Sequence, residues 1–493
     1  MLRAAFRGGP RATLVARRFL SAAAAGQADP DFERRSRRAQ KLFSVRRADE
    51  RAQDGMEVWG MQNRRKRVGH DALAPARAEP LVKRPQDSLL TLMLPFKSDP
   101  KLRELYLNAA GHLRIGRLLE DFDSFAGQIA YTHCDDPDDV SADPVTLVTA
   151  SLDRIDMVRS VPTDRDLMLR GCAAWVGTSS MAIVVSLSEI PEGLTASEAM
   201  AAATGHGPSA AGLPASAVEA LGDAASVGGA RMPPIVRADF TFVARDADDR
   251  AVRVPAMRPQ TEPEVALFQA ARDDRVTLKA ARLATLDRLP PTPDELGMVH
   301  RLFADLRALR AAGEGPTPAR QRHISDGAVY VGSTSLESTV VTFPTDRNIH
   351  GKAFGGWLLR NAFELAWAAA LRFGGSTPEF VAMSDIAFLR PVEIGAVLSF
   401  RACVEYAQGA PHRTVSVCVE TTSMDPRDPR AAQPTTNTFH FTFDFPDTAH
   451  NVPRAFPQSY EEAMAWVAAH RRRQAGMSLR SRWAMEGGEP PRV

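Results

Sequence analysis

Seven residues beyond a glycine, inside a run with helical periodicity, stands Asp123. On a wheel of about 100° per residue, Arg117, Glu120, Asp121, Ser124 and Gln128 share a polar face, whereas Asp123 falls beside Leu119, Ala126 and Ala130. A carboxylate at the edge of an apolar face is costly unless paired, and desolvation moves it toward the range of a general base. A structural hydrogen bond is the other use of such a group. Glu120 and Asp121 are expected to face solvent or cap the helix. Gly116, and Gly355 with Gly356 far downstream, stand where helices are predicted to start. The free N–H groups and dipole of a helix N-terminus favour a developing oxyanion, and glycine leaves the approach open. The same glycines would also permit close packing of helix on sheet. A carboxylate and a helix N-terminus are two parts suited to attack on a carbonyl: one activates the attacking group, the other holds the charge that builds on oxygen.

These residues belong to a repeat. Asn108, Gly111, Gly116, Leu118, Leu119 and Ala126 recur 240 residues later (348 − 108) as Asn348, Gly351, Gly356, Leu358, Leu359 and Ala366. One structural unit is written twice. The place of Asp123 is taken in the second copy by Phe363, and the nearest acidic residue there, Glu364, falls on the polar side with Arg360 and Asn361. Glu364 reads either as a solvated or salt-bridged helix residue or, if the helix is irregular, as a second candidate carboxylate. Asn348 and Asn108 each suit an Asx-turn ahead of a glycine. His350 could donate to a carbonyl, or be structural.

The elements that must position these groups follow from periodicity. In the first copy a strand is predicted at 88–96, a helix at about 114–131, and strands near 145–158, 167–176, 181–187 and 237–244. In the second, Leu398, Phe400, Ala402, Val404 and Tyr406 alternate with polar residues, as do Phe439, Phe441, Phe443 and Phe445. Period two means strands with one buried face. The apolar run from Gly356 to Phe373, rich in Leu, Ala and Trp, suits a helix wrapped by a curved sheet. Residues 190–233 are an Ala, Gly, Ser and Pro mixture and read as an inserted loop. A helix is expected from Thr292 to Leu309, and another near Tyr460 to Arg473. The domain plan is a targeting segment at 1–28, a polar extension at 29–86, a first domain at 87–250, a helical linker at 251–325, a second domain at 326–446, and a C-terminal helix and tail at 447–493.

Composition narrows the class. At 493 residues the chain exceeds one compact core. Its 44% hydrophobic and 24% charged residues are those of a soluble globular protein, and no apolar run approaches the roughly 20 residues of a membrane span. A net charge of +2 leaves no large basic excess for phosphates, so nucleic acid is not an expected partner. Cys134, Cys172, Cys403 and Cys418 show neither C-x-x-C pairing nor zinc-site spacing, so they are expected to be free, packed thiols with no structural metal. Residues 1–27 hold Arg3, Arg7, Arg11, Arg17 and Arg18, many alanines and no acidic residue, the composition of an organellar transit peptide. An unstructured basic tail is the alternative, and composition favours mitochondrion over plastid only weakly.

An antiparallel sheet curled around one helix is the hotdog architecture, and Asn348-Ile-His-Gly-Lys-Ala-Phe-Gly-Gly356 followed by Trp-Leu-Leu resembles the signature of hotdog acyl-CoA thioesterases. Asn108-Ala-Ala-Gly-His-Leu-Arg-Ile-Gly116 is a diverged form. With the tandem arrangement, the inserted loop and the transit-like N-terminus, residues 88–446 resemble the long mitochondrial acyl-coenzyme A thioesterases with two fused hotdog domains. The resemblance implies an α+β fold in which the two units pack as an intrachain pseudo-dimer with two non-equivalent clefts. It implies hydrolysis of fatty acyl-CoA to free acid and CoA, acyl-CoA as partner, no metal or other cofactor, a mitochondrial matrix location, and trimers of tandem chains.

The resemblance also assigns roles. Asp123 becomes the general base or nucleophile, Asn348 holds the water or the thioester oxygen, and Gly356 with Gly355 stabilises the oxyanion. If elements cross over between units, one cleft combines Asp123 with Asn348 and Gly356, and the other combines Glu364 with Asn108 and Gly116. Asn108, Gly116, His350, Gly351 and Gly355 are then expected to line the substrate sites. A catalytically silent acyl-CoA or acyl-carrier binder and a hotdog hydratase are the rival functions, since a fold hosts several.

Overall fold

The computed structural model describes residues 81–109, 111–135, 146–190, 234–246, 250–283, 286, 289–316, 327–348, 350–446 and 452–485. The expected transit peptide, residues 29–80 of the polar extension and the insert from 191 onward lie outside the described residues.

Two copies of the same unit form one continuous sheet. The first contributes β1 (Leu90–Pro95), β2 (Thr146–Met157), β3 (Asp166–Val176), β4 (Ser180–Glu189) and β5 (Pro234–Arg245), with helix α1 (Ile115–Cys134). Two helices follow, α2 (Glu262–Leu283) and α3 (Pro293–Ala311). The second copy contributes β6 (Leu336–Val341), α4 (Gly355–Gly374), β7 (Glu379–Phe388), β8 (Val397–Ala407), β9 (Val415–Met424) and β10 (Thr435–Asp444), and the chain continues into α5 (Tyr460–Met485). The strand order is β1-β3-β4-β5-β2-β7-β10-β9-β8-β6, antiparallel throughout. From either outer edge the order is the same. The units join where β2 pairs with β7, through Met383 opposite Ile155 and Ile386 opposite Leu152.

The alternation in the sequence accounts for the packing. Phe439, Phe441 and Phe443 are fully buried, and the rings of Phe441 and Phe443 lie 5.6 and 5.8 Å from that of Phe363 on α4, so the odd-numbered face of β10 is the helix face. Leu118, Leu119, Phe122, Phe125, Ala126 and Ile129 do the same for α1, and one apolar core runs through both units. Each fully buried Phe or Leu is worth roughly 1.5–3 kcal/mol, which explains why helices this apolar sit inside a curved sheet. The α+β, tandem hotdog expectation is met.

The two central helices cross antiparallel with their N-terminal halves side by side. Glu120 of α1 accepts from Arg360 of α4 at 2.8 Å, although 120 and 360 are the same position of the repeat. Two identical units would bring like charges together there, so the pair favours one copy of each kind. On the outer face of the second unit, Leu302 and Leu306 of α3, Tyr406, and Trp466 and Val467 of α5 form a second small core. The helix expected from Thr292 runs Pro293–Ala311, capped by Thr292 and Glu295, and the C-terminal helix extends past Arg473 to Met485. Within the extension expected at 29–86, Val82 and Lys83 pair with Ala256 and Met257, and the Lys83 Nζ donates to the Thr132 carbonyl at the end of α1 at 2.9 Å.

Candidate active site

Asp123 points out of α1 toward the beginning of α4. It is buried, its Oδ1 accepts from the Thr149 hydroxyl of β2 at 3.1 Å, and its Oδ2 lies 3.1 Å from the point where a Cβ on Gly355 would sit. The ring of Phe388, at the end of β7, lies 3.3 Å from the same point. A carboxylate of the first unit therefore meets the helix N-terminus of the second. The N-cap residue of α4, Phe354, makes no side-chain cap, so the amides of the first turn keep their capacity to donate. The macrodipole of α4 attracts the negative charge of Asp123 and would attract one on a reacting oxygen.

The glycines divide the two uses foreseen for them. A Cβ on Gly356 would lie 3.0 Å from the Glu120 carbonyl, and one on Gly116 would lie 3.1 Å from the Arg360 side chain, so these two let the helices approach. Gly355 is the glycine that faces the carboxylate.

Asn348 sits in the loop that feeds α4. Its Oδ1 accepts from the His350 and Lys352 amides at 2.9 and 3.1 Å, and the Gly351 amide, at a φ of 76°, donates to its carbonyl. Asn108 closes the matching loop before α1, its Oδ1 accepting from the His112 amide at 3.0 Å with Gly111 at a φ of 77°. Only glycine adopts that backbone at little cost. Both asparagines thus build loops with their carbonyls, and the amide NH2 of Asn348 is what remains to reach a substrate.

His350 packs across the same seam. Its Nε2 lies 3.1 Å from the Tyr131 hydroxyl of α1, which also accepts from the Leu147 amide of β2 at 3.1 Å. Burial lowers the pKa of His350, against a hydrogen bond to the Leu147 backbone that raises it, and burial raises that of Tyr131. At neutral pH the contact joins two neutral groups and ties the Asn348 loop to α1.

The pseudo-equivalent place in the repeat is built differently. Phe363 replaces Asp123 and packs against Phe380, Phe441 and Phe443, with ring centroids 5.3 to 5.8 Å away. Ile115 stands where Gly355 stands, and Leu371 where Tyr131 stands. Glu364 is 46% exposed and pairs at 2.7 Å with Arg114, itself 42% exposed, at the start of α1. Glu364 is on the surface, as the wheel indicated for its solvated reading, and the inward turn that would have made it a second carboxylate is absent. Asp121 departs from expectation: it is buried and accepts from the Tyr106 hydroxyl, and Gln128, also assigned to the polar face, is buried as well. The Tyr106 hydroxyl reaches Asp121 from the loop that precedes α1, so part of the helix's polar side is covered by chain outside the sheet.

Thr149 and Tyr131 were not singled out by the sequence. Comparing the copies at the 240-residue offset would have exposed Tyr131 against Leu371. Thr149 carries no comparable signal, because a threonine on a strand is ordinary.

Among the described residues one trio, Glu405, Cys418 and His440, brings potential metal-ligating atoms within 4.8 Å of one another. Burial would push the Glu405 carboxyl up, but Arg472 and His440 hold it down to about 2, with both oxygens accepting from Arg472 at 2.9 Å. Burial raises the Cys418 thiol well above its ordinary value. A carboxylate already matched by a guanidinium and a protonated thiol make an ion-pair cluster. The four cysteines are all free.

No family model matches the chain. Over 404 residues it is 30% identical to acyl-coenzyme A thioesterase 9, mitochondrial, of Homo sapiens, covering 82% of this chain and 80% of that protein. It is 32% identical over 398 residues to acyl-coenzyme A thioesterase 2, chloroplastic, of Humulus lupulus, covering 79% and 81%. Among solved structures, an acyl-CoA hydrolase from Staphylococcus aureus in complex with butyryl coenzyme A, coenzyme A and coenzyme A disulfide is 23% identical over 32% of this chain and 96% of that one, with a TM-score of 0.29.

Proposed function

Since the chain belongs to the tandem-hotdog acyl-coenzyme A thioesterases, we propose that it hydrolyses acyl-CoA at one of its two inter-unit clefts, the one where Asp123 meets the N-terminus of α4. The observation that carries this is the 3.1 Å approach of the Asp123 Oδ2 to the Cβ position of Gly355, with Phe363 and Ile115 occupying the matching places of the other cleft.

The chemistry follows from the charges. A water between Asp123 and the thioester carbon gives its proton to the carboxylate as the C–O bond forms. The thioester oxygen takes the electron pair and is held by first-turn amides of α4, Gly356 among them, a type of donor worth about 10²–10³ in rate. Collapse breaks the C–S bond, the thiolate leaves as CoA, and the proton on Asp123 completes the thiol. Thr149 fixes the carboxylate by donating to its Oδ1, which leaves Oδ2 to take the proton. The NH2 of Asn348 donates to the water or the thioester oxygen, and His350 holds its loop in place. In this scheme Asn108, Gly116 and Glu364 support the fold.

CoA release from a panel of acyl-CoAs, read continuously with a thiol reagent, tests the reading. Multiple turnover is expected. Binding without turnover would make the protein a silent acyl-CoA binder, and loss of enoyl absorbance without CoA release would make it a hydratase.

The location we propose is the mitochondrial matrix, supported by the arginine-rich, acid-free N-terminus and by a mitochondrial relative. Protease protection of the tagged protein inside stripped mitochondria is the expected result, and co-purification with plastids would oppose it. Assembly as trimers of tandem chains is proposed on the resemblance, with a light-scattering mass near three chains as its check. Among the described residues no helix is long and apolar enough to cross a membrane.

A further inference from the structure

Two polar side chains are sealed inside the second unit without a hydrogen-bond partner among the described residues. Asn437 and Thr421 are both fully buried, and among the described residues neither the Asn437 amide oxygen and nitrogen nor the Thr421 hydroxyl finds a hydrogen-bond partner. They are directly opposite each other on β10 and β9. Both lie on the helix-facing side: Asn437 continues the series of Phe439, Phe441 and Phe443, and the pairing register runs unbroken from Phe443 to Asn437. The other cross-strand neighbour of Asn437 is Phe388, whose ring, like the Asp123 carboxylate, borders the Cβ position of Gly355. Cross-strand neighbours on one face stand about 5 Å apart at Cβ. The orphaned pair therefore lies one side chain away from the reacting centre, behind Phe388.

The first unit shows what a merely structural row would contain. Phe242 pairs with Thr149, the neighbour of Asp123, as Phe443 pairs with Phe380, the neighbour of Phe363, so the two phenylalanines hold matching places. Six residues along from them (242 − 236 and 443 − 437) stand Val236 and Asn437. Val236 faces Leu187 where Asn437 faces Thr421, and both Val236 and Leu187 are buried. An apolar pair fills this place in one copy of the fold. In the copy whose helix N-terminus meets Asp123, the place holds three unsatisfied polar atoms, and a buried donor or acceptor left without a partner is costly.

We infer that Asn437 and Thr421 form a polar subsite for the acyl group, taking acyl-CoAs whose chain carries a neutral oxygen, a hydroxyl or an oxo group. An amide and a hydroxyl can donate to and accept from such an oxygen. The pair itself brings no charge to match a carboxylate, whose burial beside neutral groups would be opposed by desolvation. Phe388, only half-buried, is the side chain that must turn aside to admit the chain. A site built to satisfy buried polar groups discriminates against the analogue that leaves them unpaired. This inference rests on the Asp123 cleft being the working site.

The test uses the full-length protein and matched pairs: butyryl-CoA with 3-hydroxybutyryl-CoA, and hexanoyl-CoA with 3-hydroxy- and 6-hydroxyhexanoyl-CoA. The wild type is expected to favour at least one oxygenated partner by about 10-fold or more in kcat/KM, the effect of one hydrogen bond. The near-isosteric double variant Asn437→Leu with Thr421→Val is expected to bring that ratio to about one or below, chiefly by improving the plain acyl substrate. Its melting temperature should hold or rise, since it removes unsatisfied buried groups. Ratios near one for every pair in the wild type, or a preference unchanged in the variant, would overturn the subsite while leaving thioesterase activity intact. Absence of CoA release from all five substrates would strike the proposed function first.

Discussion

Gly355→Ala separates what this glycine does for the fold from what it does for chemistry. Gly355 is the first residue of α4 and is not one of the positive-φ glycines, so alanine can adopt its backbone. Alanine is up to about 1 kcal/mol better than glycine inside a helix. Against that, the new methyl would sit 3.1 Å from the Asp123 Oδ2 and 3.3 Å from the Phe388 ring, so its neighbours must yield by a few tenths of an ångström. The two effects nearly cancel, and the melting temperature should move by no more than about 1 kcal/mol's worth in either direction. Activity should not survive so well. The methyl fills the space between the base and the first-turn amides, where water and thioester must meet. Displacing reacting atoms by about 1 Å costs on the order of 10²-fold, and losing an oxyanion donor costs 10²–10³-fold. A fall in kcat/KM of at least about 100-fold, or ~2.7 kcal/mol of transition-state stabilisation, is expected by the thiol-reagent assay. A variant keeping more than about a tenth of wild-type kcat/KM, or one losing stability in proportion to activity, would refute this placement of the reacting centre.

Other consequences follow from buried groups. His133 is fully buried with Nε2 3.0 Å from the Pro255 carbonyl, and burial lowers its pKa from 6.5 to about 4. Its folded pKa lies below the unfolded one, so the unfolded chain binds the proton first and stability falls as pH drops from 6.5 to 4. The loss reaches about 3 kcal/mol over that window, and His133→Asn should flatten this part of the urea-midpoint profile; an unchanged slope would exclude His133. Phe363→Asp should not create a second site. It removes three ring contacts and buries a charge, so a loss of about 4 kcal/mol or more is expected by denaturation, with Ile115 still standing where the other copy has Gly355; a stable variant with raised kcat would contradict this. Glu364→Gln breaks only a half-exposed ion pair, so kcat should stay within about twofold and stability within about 1 kcal/mol; a hundredfold loss of kcat would restore Glu364 as a catalytic candidate.

The repeat, the central helices and the alternating strands were legible because each depends on local periodicity. The inward direction of Asp123 was legible for the same reason, as a carboxylate breaking an apolar stripe. The burial of Asp121 and Gln128 was not, because it depends on chain packed against the helix from elsewhere, such as Tyr106 in the loop before α1. Gly355 and Gly356 looked interchangeable in sequence, and only the antiparallel crossing of the helices turns one toward Glu120 and the other toward Asp123. Thr149 joins Asp123 through a strand that begins beyond the end of the helix, a contact no wheel contains. The orphaned state of Asn437 and Thr421 is a matter of what surrounds them, so a polar residue in a strand gave no warning.

The most direct measurement is the kcat of Asp123→Asn, a substitution that keeps the shape of the side chain and its acceptor for Thr149 while removing the base. If Asp123 takes the proton from water, CoA release should fall by about 10²–10⁴-fold with the circular dichroism spectrum and melting temperature preserved. CoA release at near wild-type rate from a folded Asp123→Asn protein would show that the carboxylate against α4 is not the catalytic group.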